Sequence, residues 1–535
     1  MNRIFYLFVS LIWVSYEGYA QKTGTWGDQG DGTYKNPVLN ANYPDTDVER
    51  SGDTWYMISS TSMMAPGMTI LESKDLVNWK ITGSVFQNVS WRKDYSPGQM
   101  NDLRGGVWAG DLVRHEGKWL CYVIDPEYGL YVSEAEHIKG PWSEPVLMKA
   151  KREWTDPCVF FDKERKQGYL LCHYATDKKN NSFENRIFKL SWDGKALQDT
   201  GKIIYKGRGA EAAKAYKVKD YYYIFISEWI KEKGKGADRK QLVLRSKNID
   251  GPYEKRVVLE KGNGCNRSCC QGSLIETLDG SWWYMHQLVQ SKDSYEGRPQ
   301  FLIPVVWENG WPVLGEDPDA NGVGNLVWQW KKPLNGYPIT APQTDDDFTV
   351  ATLSPQWAWY YTPDYSKWSL KERPGYLRMK GVKPLKEDDF LKTPNILSQR
   401  KMGKGCDTVT VRMELKGMVE EQEAGITHFA AYYFNLGVVK KGKGIYEVIE
   451  NRNGVVTSLG TVDSDALWLR CLMNQDKGIY EYSTDGKHFI RSKQDFTIAA
   501  KGFRGDRIGL YSIHKAGKGY VDIDWFRYDY DGPKE

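Results

Sequence analysis

Over the first 290 residues, apolar and polar positions alternate in one recurring arrangement. A short run begins on an apolar residue, passes through a polar or glycine-containing turn, and resumes in an aromatic run. The copies are Val48 to Met57 around Ser51-Gly52-Asp53, Leu112 to Tyr122 around Gly117-Lys118-Trp119, Val159 to Leu171 around Gly168-Tyr169, Ala215 to Phe225 around Lys219-Asp220-Tyr221, and Leu274 to Met285 around Asp279-Gly280-Ser281. Each reads as a β-hairpin, two strand-forming segments joined by turn residues. A recurrence of roughly 50 to 65 residues matches one four-stranded blade plus a loop, so five copies predict a five-bladed β-propeller.

The pattern changes past residue 330. Lys331 to Gln343 holds three prolines and a glycine, a linker composition. After it, Thr408 to Leu415, Leu467 to Met473 and Tyr520 to Tyr528 read as alternating strands of a β-sandwich. The expected organisation is all-β: a propeller over 22–330, a linker over 331–344 and a sandwich over 345–535. A chain of 535 residues is too long for one ordinary core, which agrees with two domains.

The N-terminus reads as an export signal. Arg3 supplies the positive end, Ile4 to Val14 is apolar, and Gly18-Tyr19-Ala20 offers small residues for cleavage, so residues 1–20 are expected to be removed. The apolar stretch is too short for a permanent membrane span, and no membrane partner is expected. Net charge is +4 on 73 basic and 69 acidic side chains, which leaves no nucleic-acid footprint. Among the eight cysteines, Cys121 and Cys172 alternate within aromatic strands as small buried hydrophobes. Cys265, Cys269 and Cys270 cluster in a polar loop that is compatible with one disulfide or with free thiols, and their spacing matches no standard zinc pattern. With 22 Trp and 34 Tyr the chain is rich in flat amphipathic rings, suited to sheet cores and to stacking on sugars.

Three carboxylates change the picture. Asp45, Asp156 and Glu211 each lie roughly 10 to 13 residues ahead of the aromatic run of their copy. Equivalent positions on different blades converge on the propeller axis, so the three acids are expected to face one pocket. Asp47 competes with Asp45 in the same Pro-Asp-Thr-Asp turn.

The ordered motifs resemble glycoside hydrolase family 43: Asn36-Pro37-Val38-Leu39 with Tyr43-Pro44-Asp45, Ser73-Lys74-Asp75-Leu76-Val77-Asn78-Trp79, Gly106-Val107-Trp108-Ala109, Thr155-Asp156-Pro157, Arg298-Pro299-Gln300 and Trp311-Pro312-Val313. The region after the linker resembles the concanavalin-like sandwich of the β-xylosidase branch, through Tyr482-Ser483-Thr484-Asp485-Gly486 and Asp522-Ile523-Asp524-Trp525. The resemblance implies an inverting hydrolase with Asp45 as general base, Glu211 as general acid and Asp156 raising the acid's pKa. It also implies that Trp108 and Arg298 line the sugar pocket and that Phe503 closes it from the sandwich. No cofactor is required, although Asp346 and Asp524 are candidates for a structural Ca²⁺.

This chain departs from the family in two places. Glu211-Ala212-Ala213 replaces the usual Glu-Gly-Pro, and Cys270-Gln271-Gly272 stands where relatives commonly carry a histidine near the axis. The implied substrate is an oligosaccharide carrying a terminal α-L-arabinofuranosyl or β-D-xylosyl residue, the departures placing arabinofuranose slightly ahead. The alternatives are a propeller that binds carbohydrate without catalysis and a glycosidase for another sugar such as galactose. Oligomeric state is not legible in the sequence.

Overall fold

The computed structural model describes residues 23–534, apart from residues 90, 101–104, 178, 232–236, 261–267, 290–294, 388 and 499–503 and the side chains of 268–270. The signal segment, Cys265 and Phe503 therefore lie outside the described residues, as do the side chains of Cys269 and Cys270. Among the described residues there is no α-helix, and three single-turn 3₁₀ segments punctuate the strands.

Five antiparallel sheets follow one another along the chain, and each opens with one of the predicted hairpins. Their first strands are Asp47–Ser51, Gly110–His115, Trp154–Asp162, Glu211–Val218 and Ser268–Glu276. Three further strands follow in each blade, and the fourth blade gains Gly324–Asn325 as a parallel edge. The aromatic runs explain the packing, because the second strands stack across blade boundaries. Tyr56 meets Trp119 at 5.3 Å and Phe225 meets Tyr284 at 5.6 Å between ring centroids.

The blades are also tied around the axis by side chains at one repeated position. Asp47 accepts the backbone N–H of Leu112 at 2.8 Å, Asp111 that of Val159 at 2.8 Å and Cys158 that of Ala215 at 3.4 Å. In blade four the Tyr216 hydroxyl, two residues beyond that position, accepts from Leu274 at 3.0 Å, and Ser273 accepts from Val48 at 3.1 Å, which returns the ring to the first blade. Lys214 takes the equivalent place in blade four and reaches Asp47 at 2.8 Å and Asp111 at 2.7 Å. Burial alone would lower its pKa, but the two carboxylates outweigh it and hold the ammonium well above its usual range. Asp47 is thus spent on closing the ring, which separates it from Asp45. Cys121 and Cys172 are buried as expected.

Residues 331–344 are irregular in conformation yet firmly held. Lys332 is buried in ion pairs with Asp28 and Asp75, and Thr340 donates its N–H to Asn78 at 2.8 Å. The sandwich follows as two large sheets. Cys406–Glu414 alternates buried and part-exposed positions along its length, placing Val409, Val411 and Met413 in the core. The propeller joins this fold directly: Met64–Ala65 pairs with Ala358–Tyr360 at the edge of a sandwich sheet. One hydrophobic core runs through both domains, from Trp55 and Trp79 to Val411 and Leu469.

Candidate active site

Asp156 and Glu211 are presented by first strands that are irregular in the same place, as is the first strand of the fifth blade. Register shifts interrupt pairing between Thr155 and Cys158, between Glu211 and Lys214, and between Cys270 and Gly272. The backbone turns left-handed there, with φ of 50° at Asp156, 57° at Ala212 and 66° at Gln271, and Asp45 matches them at 54°. A non-glycine residue in that region costs about 1–3 kcal/mol, and such bulges re-aim side chains. Glu211 keeps its extended conformation because Ala212 takes the left-handed one. The Glu-Ala-Ala sequence therefore builds the bulge without the family's glycine.

Two arginines divide the acids. Arg298 forms an ion pair with Asp45, and Ser60 donates its hydroxyl to the other carboxylate oxygen at 2.6 Å. The Asp45 backbone N–H is held by the Gln287 side-chain oxygen at 2.9 Å. Gln287 in turn donates to Gln271 at 2.6 Å, whose N–H donates to Gln241 at 3.1 Å. A chain of amides thus occupies the place where the family commonly carries a histidine, and it fixes the Asp45 backbone.

Across the pocket, Arg239 pairs with Glu211. Between Glu211 and Asp156 stands His173, with Nδ1 3.7 Å from Asp156 and Nε2 4.0 Å from Glu211. The ring stacks on Phe183 at 5.2 Å, and its Nε2 meets the Thr155 hydroxyl at 2.9 Å. Burial pulls the His173 pKa down to about 4, so the imidazole is neutral at ordinary pH. Ligand atoms of Asp156, His173 and Glu211 lie within 4.8 Å of one another, a spacing that would suit a cation.

Asp156 and Glu211 face each other as like charges in the pocket. Burial does push Glu211 upward, but the Arg239 guanidinium outweighs it and holds the carboxyl below its ordinary range. Asp156 is the acid that rises: burial, then the charges of Glu211 and Asp45, push it well above the carboxylate range. The two acids lie close enough for their titrations to be linked, so each proton affinity depends on the charge of the other.

Trp108 is half-buried beside Val107, whose backbone bridges Ser62 close to the Ser60 that holds Asp45. Gly106 makes that approach possible, since a Cβ there would lie 2.2 Å from the Ser62 carbonyl oxygen. The sandwich reaches the same region: Arg400, Arg504 and Arg507 line a small cavity together with Pro44, Ser60 and Arg298. Asp346 accepts the Phe348 N–H and the Trp357 indole, both at 2.8 Å, and Asp524 pairs with Arg412. Arg239, His173, Ser60 and Gln287 were not recognised from the sequence. Their signal is pairing register: Arg239 faces Trp229 two residues beyond Ser227, the partner of Glu211, and His173 faces Thr155.

Comparisons with known proteins agree with this arrangement. Residues 34–312 match the family model for glycosyl hydrolases family 43, and residues 345–529 match the β-xylosidase C-terminal concanavalin A-like domain. A β-xylosidase of Formosa agariphila is 46% identical, covering 96% of this chain and 93% of its own. A non-reducing end α-L-arabinofuranosidase of Bacteroides ovatus is 29% identical, covering 96% of both chains. Among solved structures, a GH43 protein of Bacillus licheniformis superposes with a TM-score of 0.78 at 25% identity, covering 93% of this chain and 99% of its own. With residues 34–312 and the sandwich both matched, the chain belongs to glycosyl hydrolases family 43.

Proposed function

We propose that this hydrolase removes single β-D-xylosyl residues from the non-reducing ends of plant-type oligosaccharides, with inversion at the anomeric carbon. The observation that carries the reading is the division of the acids, Asp45 with Arg298 on one side and the Asp156–Glu211 pair with Arg239 on the other. Inversion needs an acid at the leaving oxygen and a base for water on the opposite face. Asp45, oriented by Arg298, Ser60 and its own fixed backbone, is placed to accept a proton from water. Glu211 delivers the proton of the pair to the departing oxygen. For that, Arg239 must release Glu211 as the leaving sugar arrives, which returns the proton affinity to Glu211. Asp156 is the reservoir that keeps one proton on the pair. Trp108, Arg298 and Phe503 are assigned to holding the glycone.

The sequence departures had placed arabinofuranose slightly ahead of xylose. The 46% identity to a β-xylosidase over nearly the whole chain reverses that order, and the arabinofuranosidase relative keeps arabinofuranose as the second reading. Turnover of nitrophenyl β-D-xyloside and α-L-arabinofuranoside decides between them. Proton NMR of the first-formed sugar reads the stereochemistry, and initial release of the α-anomer from a β-xyloside is expected. Appearance of the β-anomer would mean retention and would remove Asp45 as base. The reading includes export, supported by the N-terminal pattern. N-terminal sequencing of protein from the envelope or medium is expected to begin near Gln21.

A further inference from the structure

At the rim of the pocket, on the Glu211 side, an open cleft of about 510 Å³ is lined by Asn181, Arg208, Trp229, Lys231 and Ala237. Register places it. Glu211 pairs with Ser227, and the same strand continues past it through Trp229 and Lys231, opposite Arg239 and Ala237. Asn181 stands at the neighbouring turn of blade three, where its carbonyl accepts the Gly209 N–H at 2.7 Å. The cleft therefore sits between the tips of blades three and four, beyond the general acid. The general acid protonates the leaving oxygen, so the departing part of the substrate lies on this side.

The cleft is built around an indole. Gly209 has φ of 53°, and a Cβ there would come within 2.8 Å of both Trp229 Cδ1 and Asn181 Nδ2, so glycine lets the ring lie against the backbone. Arg239 lies 6.0 Å from the ring centroid while it pairs with Glu211. A half-buried indole set beside the acid is a stacking platform for a sugar ring. Among the described residues of the lining, the charged groups are Arg208 and Lys231, both cationic and exposed. Among the described residues, the carboxylates beside this strand pair are engaged elsewhere. Glu228 accepts the Tyr205 hydroxyl at 2.6 Å and the Arg208 backbone N–H at 3.2 Å, and Asp238 accepts the Arg239 backbone N–H at 3.0 Å.

Resting on the exo-glycosidase reading, we infer that this cleft is a leaving-group subsite for an acidic sugar. Trp229 stacks on the ring next to the scissile bond, and Arg208 and Lys231 recognise the carboxylate of a uronic acid carried by that part of the chain. Guanidinium and ammonium donors suit a carboxylate. The natural substrates are accordingly fragments of an acidic, uronate-bearing glycan rather than neutral oligosaccharides alone.

The test compares an oligosaccharide bearing a uronate branch on the sugar adjacent to the terminal one with its carboxyl-reduced counterpart, which has the same shape and no charge. For the unaltered enzyme, kcat/KM is expected to favour the acid form roughly tenfold at low salt, and the preference is expected to shrink at 0.5 M NaCl. The double substitution Arg208→Ser with Lys231→Ser brings the ratio close to one and leaves hydrolysis of nitrophenyl xyloside intact. Trp229→Ala lowers kcat/KM on both oligosaccharides more than on the nitrophenyl glycoside. A ratio of one in the unaltered enzyme, or a preference that survives the double substitution, overturns the subsite. Failure to turn over any glycoside counts against the glycosidase reading instead. The subsite is then judged by calorimetry, where the acid form must bind more tightly than the reduced form and lose that advantage in the double variant.

Discussion

Arg239 holds Glu211 in an ion pair, and its guanidinium keeps that acid below the ordinary carboxylate range while Asp156 rises above it. Glu211 therefore sits between a cation that lowers its proton affinity and a neighbouring acid linked to it. Removing either controlling charge has a predictable sign. Asp156→Asn removes the negative neighbour and leaves Glu211 with Arg239 alone, so the alkaline limb of the kcat/KM profile is expected to move to lower pH. Arg239→Ala removes the cation and should move it to higher pH, with a lower kcat. Shifts in the same direction would refute this linkage.

Asp156 also carries a stability signature. An acid whose pKa is raised by folding holds more protons folded than unfolded. Its stabilising contribution is complete below about pH 3.9 and is lost as pH climbs toward the folded value. Asp156→Asn, which never ionises, is expected to melt higher than the unaltered protein, by a margin that grows between pH 4 and pH 8. Calorimetry at several pH values checks this, and a margin independent of pH would place the burden of Asp156 elsewhere.

Much of this was legible in the chain because propeller repeats are local. Each hairpin is written in one stretch of about ten residues, and the acids stand at one offset from it. What could not be read depends on contacts across blades. Lys214 looks like a surface residue in Ala-Ala-Lys-Ala-Tyr, yet closure of the ring turns it inward onto Asp47 and Asp111. His173 follows a cysteine within an aromatic run and reads as core, because its function comes from facing Thr155 on the adjacent strand. Residues 331–344 have linker composition, but buried Lys332 and its two aspartates are recognisable only once all three are together.

The axial cation gives a stability prediction. Lys214→Met would leave Asp47 and Asp111 facing each other in the core without their counter-ion. Breaking such a group costs about 3–5 kcal/mol, and a clear fall in the denaturant midpoint is expected. Adding Asp47→Asn and Asp111→Asn should recover part of the loss, because the amides keep an acceptor for the Leu112 and Val159 N–H groups. An unchanged midpoint in the single variant would show that the ring does not need its lysine.

The shared core predicts that the domains do not separate. Ending the chain at residue 344 would bare the sandwich-facing apolar surface and leave Met64–Ala65 without its partner strand. Such a fragment is expected in the insoluble fraction or with exposed hydrophobic surface by dye binding. A soluble, cooperatively melting fragment would contradict this.

The last prediction separates the two catalytic jobs. Protonation matters most when the departing group is a poor one, such as a sugar hydroxyl, and little when it leaves readily as an activated phenolate. Glu211→Ala is therefore expected to lower kcat/KM on natural oligosaccharides by about 10²–10⁴-fold, the usual contribution of a positioned acid, while sparing much of the activity on an aryl glycoside with a low-pKa phenol. Asp45→Ala should abolish both, because no leaving group compensates for an unactivated water. Azide can rescue only the Asp45 variant by entering the face that water uses, and the product would be a glycosyl azide of inverted configuration. Arg298→Ala should resemble the Asp45 variant in leaving-group dependence, since its guanidinium holds that carboxylate. Equal losses for Glu211→Ala and Asp45→Ala on both substrates would leave the acid and base roles without support.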